Sequence, residues 1–338
     1  SDSQIYKDVS SDDYVLKDGD AVQGIAYVIE TYGIIYNKAL LKKYFELPDA
    51  EIKSIDELNN FEALKKVADG IQKNKDELGV SGAFTSAGMD ASSDWRFKTH
   101  LANLPVYYEY KEDGITSSEA IKGTYLENFK NVWDMYVSDS AADPKTLNSG
   151  ALNAESEFGM GEAVFYQNGD WEFSPLTNEE NGYAVTADDL SMMPIYFGVD
   201  DENEGLCVGT ENYWAVNAKA SQEDIDATLE FLNWVITSDE GRDAITNQMG
   251  LTAPYDTFTG DYETKNAFAQ AANKLMTDGK TSVAWSFNAT PNVDDWRADV
   301  VSALTAYTAG EGEWDAVKTA FVDGWANQWK IAHEDDAQ

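Results

Sequence analysis

The stretch Gly161-Glu-Ala-Val-Phe-Tyr-Gln-Asn-Gly-Asp-Trp171, with Glu172 and Phe173 just after it, organises the chain. Ala163 to Tyr166 is a short apolar run that predicts a strand, and Asn168-Gly169 predicts a turn behind it. The turn delivers a carboxylate and an indole side by side, Asp170 and Trp171. That pairing suits a sugar, whose hydroxyls want an acceptor and whose C–H face wants an aromatic platform. The same residues also suit a surface turn whose Trp171 packs into a core, because Trp is highly buried on average.

Composition narrows the choice. The chain has 338 residues, enough for one large or two ordinary domains with ample core. Lys and Arg number 24 against 61 Asp and Glu, for a net charge of −37. That field repels phosphates, so nucleic acid and an anionic membrane surface are poor partners. Ten Trp, with aromatics at 12%, exceed what core filling usually needs and hint at an aromatic-lined site. A single cysteine, Cys207, excludes an internal disulfide framework and a thiolate metal cluster. There is no run of some 18 apolar residues to span a membrane. Ser1 to Asp20 is polar, Asp-rich and lacks an initiator Met and a basic-then-apolar leader, so the chain reads as cut from something longer.

Along the chain, Ile25 to Ile29 is an apolar run of the kind a strand buried on both faces shows. Glu30 interrupts it before Gly33-Ile-Ile-Tyr36 resumes, which places a carboxylate at a sheet edge or facing a cleft. Ser54-Ile-Asp-Glu57 has the form of a capping box, with Leu58, Phe61, Leu64, Ala68 and Ile71 at helical spacing until Gly79. Val80 to Thr85 predicts a strand opening the small-residue loop Ser86 to Ser93, where a ligand or another backbone can come close. Residues 110–160 read as helical, broken at Pro144 and Gly150, and 177–205 as loop-rich. Leu206 to Asn217 predicts a second strand bearing a glutamate, Glu211. Ser221 caps a helix carrying Ile225, Leu229, Leu232 and Ile236. Trp296, Val300, Leu304 and Tyr307 form one helical stripe, and Trp314, Val317, Phe321 and Trp325 another, both expected in the core. Strand and helix alternate, which gives an α/β class.

Several chemistries find little support. His100 and His333 have no partners at metal-ligand spacing. No Gly-Lys-[Ser/Thr] loop or Gly-x-Gly-x-x-Gly fingerprint is present, and no cofactor is expected. Asp200-x-Glu202-x-Glu204-Gly205 with Glu211 has the spacing of a Ca²⁺ loop, but glutamates replace the expected Asp/Asn and no helix pair flanks it. A glycoside hydrolase is the enzyme alternative. It needs two facing carboxyls about 5 to 9 Å apart, one with a raised pKa, for which Asp170 with Glu30 or Glu211 can be nominated.

Glu30-Thr-Tyr-Gly-Ile-Ile-Tyr-Asn-Lys38, Gly161 to Trp171, Val208-Gly-Thr-Glu-Asn-Tyr-Trp-Ala-Val-Asn217, Thr237-Ser-Asp-Glu-Gly241, Met249-Gly-Leu-Thr-Ala-Pro254 and Phe287-Asn-Ala-Thr-Pro-Asn292 with Trp296 follow one another along the chain. In that order and spacing the chain resembles the extracellular solute-binding proteins of bacterial sugar ABC importers, the group that includes maltose-binding protein. Ser92 to Pro105 is similar to a subgroup from Gram-positive gut bacteria that import oligosaccharides. The resemblance implies a two-lobe periplasmic-binding-protein-like fold of type II, with sugar held between the lobes. Lobe one would comprise 1–30 and 210–258, lobe two 31–209 and 259–338, with crossings near 30–33 and 207–210. The family opens lobe one with further strand and helix, so the first lobe is expected to be incomplete in this chain.

The resemblance implies capture without chemistry. The lobes close on a carbohydrate by hinge motion, and the closed form engages ABC permease subunits in the membrane. A monomer at the cell surface, lipid-anchored in a Gram-positive bacterium, is expected. Trp171 is the first candidate for ring stacking and Trp95 the second. Asp170, Asp94, Arg96 and His100 are candidates for hydroxyl hydrogen bonds, with an ion pair to Asp94 or another acid the competing role for Arg96. Glu30 with Tyr32, and Glu211 with Asn212, are expected at the hinge, and Asn288 at the rim. Tyr213 and Trp214 are expected in the core.

Overall fold

A computed structural model describes residues 3–90, 93–143, 146 and 153–334. The expected breaks at Pro144 and Gly150, and Ala91 and Ser92 of the small-residue loop, lie outside the described residues.

Among the described residues, two separate sheets carry the chain. Strands β1 (Val15–Asp18) and β2 (Ala21–Ala26) form a hairpin, and β3 (Glu30–Asn37) follows after three residues. Next come β4 (Gly82–Phe84), β5 (Ala163–Gly169) and β6 (Leu190–Met193). Strands β7 (Glu204–Gly209), β8 (Tyr213–Trp214) and β9 (Thr281–Val283) complete the set. The small sheet has the order β1-β2-β8, and the large one β4-β5-β3-β7-β9, with β6 also pairing β3. The run expected as one strand across Ile25 to Ile29 is therefore split. Its first half ends at Ala26 in the small sheet, and β3 begins at Glu30 in the large one. Leu206 to Asn217 divides likewise, because β7 stops at Gly209 and β8 starts at Tyr213. Apolar runs at both places mark the two sheets the chain links, not one long strand.

Residues on β3 alternate between faces, as a strand's period of two requires. Tyr32 and Ile34 join a core that includes Phe97, Trp133, Trp296 and Trp325. Ile35 joins a second core on the opposite face, with Tyr166, Leu190 and Phe268. At Gly33 an added Cβ would meet the Met193 carbonyl oxygen and lie 2.5 Å from Leu206 Cδ2, so only glycine lets β6 and β7 approach there. Both late stripes pack inward, since Trp296, Val300, Leu304, Trp314, Val317, Phe321 and Trp325 are all buried. The small sheet has its own core of Ile5, Ile25, Leu232, Ile236 and Tyr255.

Local details depart from the sequence in four places. Ser54 bonds Glu57 at 2.9 Å, but that box starts only a 3₁₀ turn. The helix Phe61–Lys73 is capped by Asn60, whose side chain accepts from the Ala63 N–H at 3.0 Å. Asn168-Gly169 makes no turn. It continues β5 in register with Gly33 and Tyr32, and the chain turns only at the 3₁₀ segment Asp170–Glu172. Strand β6 runs through the stretch read as loop. Tyr213 and Trp214 are half-buried, because their short strand pairs only two residues of β2.

Candidate functional site

One edge of the large sheet gathers the polar and aromatic residues. There β3 begins and β4, β5, β7 and β9 end, because β4 runs parallel to β5, β9 runs parallel to β7, and β3 runs against both β5 and β7. The segments leaving or entering that edge carry Ser86 to Asp90, Ser93 to His100, Asp170 with Trp171, Glu30, Glu211 with Asn212, and Trp285 to Asn288. In α/β sheets ligands bind beyond strand ends of this kind.

Two glycines set the aromatic floor. Gly169 ends β5, and an added Cβ would run into the ring of Trp171. Gly209 ends β7, and its added Cβ would lie 2.5 Å from Trp285 Cγ. Between these strands, Tyr32 of β3 stacks under His100, with centroids 4.1 Å apart and planes at 9°. A wide π turn, Arg96–Leu101, carries His100 there. The His100 ring lies 5.5 Å from Trp171, 5.1 Å from Trp95, 6.2 Å from Trp285 and 6.0 Å from Phe287. Trp95 and Trp171 are 5.8 Å apart, and both stay half-buried. Burial, reinforced by the Arg297 and Arg96 charges, pushes the His100 imidazole down to about 3, so it is neutral at physiological pH.

Carboxylates flank this floor. Asp170 is buried, which raises its pKa to about 8. The Thr31 backbone N–H opposes that rise and the Glu30 charge adds to it. Glu30 is raised by burial too, opposed by the Asn212 amide that donates to it at 2.9 Å and reinforced by the Glu211 charge. Asp94 is buried and paired with Lys98 at 2.8 Å. Arg96 faces elsewhere: its guanidinium donates to the Ser86 carbonyl at 3.1 Å and lies over the Phe97 and Tyr166 rings. The ion pair considered for Arg96 is thus made by Lys98. Glu211 is exposed. Asn288 is exposed as well and lines a groove of about 450 Å³ with Tyr14, Thr210, Tyr213 and Trp285.

Trp95, Trp171, His100 and Tyr32 are brought together, as are Asp170, Glu30 and Asn212. Trp285, Phe287 and Arg297 were missed by sequence reasoning. Phe287 opens the Phe287-Asn-Ala-Thr-Pro-Asn292 piece, and the short spacing Trp285-x-Phe287-Asn288 was the signal available. Arg297 sits one residue after a core Trp in a helix and carried none.

Among the described residues no group of three or more His, Cys, Asp or Glu could hold a metal ion. Two acids of the Ca²⁺-like spacing, Asp200 and Glu204, have protein partners, as does Asp201 between them. Asp200 pairs with Lys111 at 3.1 Å, Asp201 accepts the Phe61, Phe197 and Gly198 N–H groups, and buried Glu204 bonds Lys111 and Tyr107. Nor is any described helix long and apolar enough to cross a membrane.

A family model described as bacterial extracellular solute-binding protein matches residues 2–257. A comparison with curated proteins finds no match. Among solved structures the chain is similar to a chitin oligosaccharide binding protein, with TM-score 0.68, 15% identity, and coverage of 98% of this chain and 76% of that one. It is similar to a family 1 extracellular solute-binding protein from Bifidobacterium longum subsp. infantis, with TM-score 0.60, 17% identity and coverage of 97% and 79%. It is also similar to the BlMnBP1 binding protein of an ABC transporter from Bifidobacterium animalis subsp. lactis ATCC27673 in complex with mannobiose, with TM-score 0.58, 16% identity and coverage of 98% and 75%. These structures share the two-lobe α/β fold expected from the sequence.

Proposed function

The chain belongs to the bacterial extracellular solute-binding proteins, and from that membership we propose that it captures a carbohydrate, an oligosaccharide, for an ABC importer. Lobe one is 1–30 with 210–258, and lobe two is 31–209 with 259–338. The site lies where the large sheet's edge faces the small sheet. One observation carries the proposal: two half-buried indoles, Trp95 and Trp171, lie 5.8 Å apart beside the buried carboxyl of Asp170. Indoles supply stacking faces for sugar rings, while Asp170, Asp94 and Glu30 offer oxygens to hydroxyls. The oligosaccharide ligands named for two similar structures agree with that chemistry. Closure of the lobes on the sugar presents the form that membrane permease subunits recognise. The protein acts outside the cell as a lipid-anchored monomer, without a cofactor and without binding nucleic acid.

Asp170, with its pKa raised to about 8 and Glu30 beside it, also has the features of a glycosidase acid paired with a second carboxylate. One experiment separates the two roles. Calorimetry against mono- and oligosaccharides should find a ligand, and that ligand should come back chemically intact after long incubation. Release of reducing sugar, abolished by Asp170→Asn, would establish the hydrolase instead. Absence of binding to every sugar tried would overturn both.

A further inference from the structure

Arg297 stands out in a chain with 61 acidic residues and 24 basic ones. It sits in the first turns of the helix Val293–Ala309, half-buried, with its guanidinium over the Phe287 ring at 6.0 Å. Phe287 in turn lies 6.0 Å from His100, which touches both Trp95 and Trp171. Yet Arg297 forms no ion pair and no hydrogen bond among the described residues, and its Nε–H is buried without a partner. The nearest acids leave it so. Asp94 is engaged by Lys98 at 2.8 Å, while Glu211 and Asp294 act on it through the field and not by contact. A half-buried fork of N–H groups left open beside an aromatic floor is a position for acceptor oxygens from a ligand.

We propose that Arg297 is the residue that ranks ligands at this site, its guanidinium fork taking two neighbouring hydroxyl oxygens of a neutral sugar stacked on the Trp95 and Trp171 floor. This rests on the carbohydrate reading above and narrows it to uncharged glycans. Three acids, Asp94, Glu211 and Asp294, already surround the guanidinium with compensating charge. The chain's net charge of −37 further opposes an anionic ligand. A planar fork matches a pair of adjacent oxygens, which a lysine ammonium as a point charge does not.

The test is calorimetry of the full chain with mannobiose, chitobiose, xylobiose and, as the acidic arm, digalacturonate. Wild type is expected to bind a neutral sugar more tightly than digalacturonate. Arg297→Gln should weaken that neutral sugar about 10-fold to 100-fold, as loss of a charge-assisted hydrogen-bonding partner does. Arg297→Lys should restore little of it. Because the side chain makes no hydrogen bond or ion pair among the described residues, the sugar-free unfolding temperature of both variants should stay close to that of wild type.

Arg297→Gln binding within twofold of wild type would overturn the inference, as would full recovery by Arg297→Lys. A wild-type preference for digalacturonate that disappears in Arg297→Gln would show a carboxylate site instead. A wild type that binds none of the four sugars would remove the parent reading and this inference with it. Binding that ignores Arg297 removes this inference alone.

Discussion

The side-chain amide of Asn212 donates to the carboxylate of Glu30 at 2.9 Å. One residue sits between β7 and β8, the other opens β3, so this bond ties together the two places where the chain passes between sheets. The Asn212 carbonyl also accepts the Tyr27 N–H at 3.3 Å. Removing the amide with Asn212→Ala leaves a half-buried carboxylate without its donor and should cost about 1–2 kcal/mol of stability. A double-mutant cycle with Glu30→Gln, read by denaturant unfolding, measures the coupling. Additive single effects would mean that the bond does not hold the crossings together.

Trp171→Ala should weaken the best sugar found by about 1–3 kcal/mol, roughly tenfold to a hundredfold. Its indole is half-exposed, so stability should fall by less than the roughly 3–5 kcal/mol of a fully buried Trp. A variant that barely folds but binds normally per folded molecule would contradict the stacking role.

The architecture was legible where a residue type has a single physical use. The stripes Trp296 to Leu304 and Trp314 to Trp325 face the core as their spacing required. Asp170 and Trp171 follow the end of β5 side by side, as their adjacency required. What was hidden depended on partners distant in the chain. Ile25 to Ile29 looks continuous, and only the pairing of Ile25 with Trp214 and of Glu30 with Gly209 shows where one sheet stops. Gly169 likewise reads as a turn residue. In the structure it is extended, and its missing side chain makes room for an indole. Arg297 has no local signal, since an arginine on an amphipathic helix is ordinarily just solvated.

Burial raises Asp170 to about 8, far above an unfolded aspartate. Between an unfolded value near 4 and that folded value, the native state holds a proton the unfolded chain has lost. Stability from this group is therefore complete at low pH and declines as pH rises, levelling off above about 8. Asp170→Asn should flatten that decline, leaving the smaller contributions of Glu172, raised to about 7, and Asp139, raised to about 6. Unfolding followed from pH 5 to 9 gives the slopes. His100, lowered to about 3, acts in the opposite sense: below its ordinary value of 6.5 the unfolded chain holds a proton the native state lacks, so it offsets the Asp170 decline up to about 6.5, and the Asp170 slope stands clear above that. Equal slopes in wild type and Asp170→Asn would refute the assignment.

Gly33→Ala tests the close approach at the centre of the large sheet. The new methyl would meet the Met193 carbonyl of β6 and the Leu206 side chain of β7. Backbone on one side cannot rotate away as a side chain can. Overpacking of this kind costs typically about 1–3 kcal/mol, and the upper end is expected here. A loss below about 0.5 kcal/mol in denaturant unfolding, the range of an ordinary surface substitution, would mean that the strands adjust freely.

The glycines under the two indoles should respond differently to the same change. Gly169 is extended, with φ −114° and ψ 179°, and Gly209 is not among the residues with positive φ, so alanine is sterically permitted in both backbones. Any effect then comes from the ring above. At Gly169 the ring is half-exposed Trp171, which can swing outward into solvent, so Gly169→Ala should fold nearly normally and bind sugar as poorly as Trp171→Ala. At Gly209 the ring is Trp285, buried against Tyr32 and Phe287, with centroids 5.7 and 5.2 Å away. It has nowhere to go without repacking, so Gly209→Ala should lose about 1–3 kcal/mol of stability. Calorimetry and unfolding on the two variants separate the cases. Normal affinity in Gly169→Ala, or a larger stability loss there than in Gly209→Ala, would show that Trp171 is held as a core residue and not presented to a ligand.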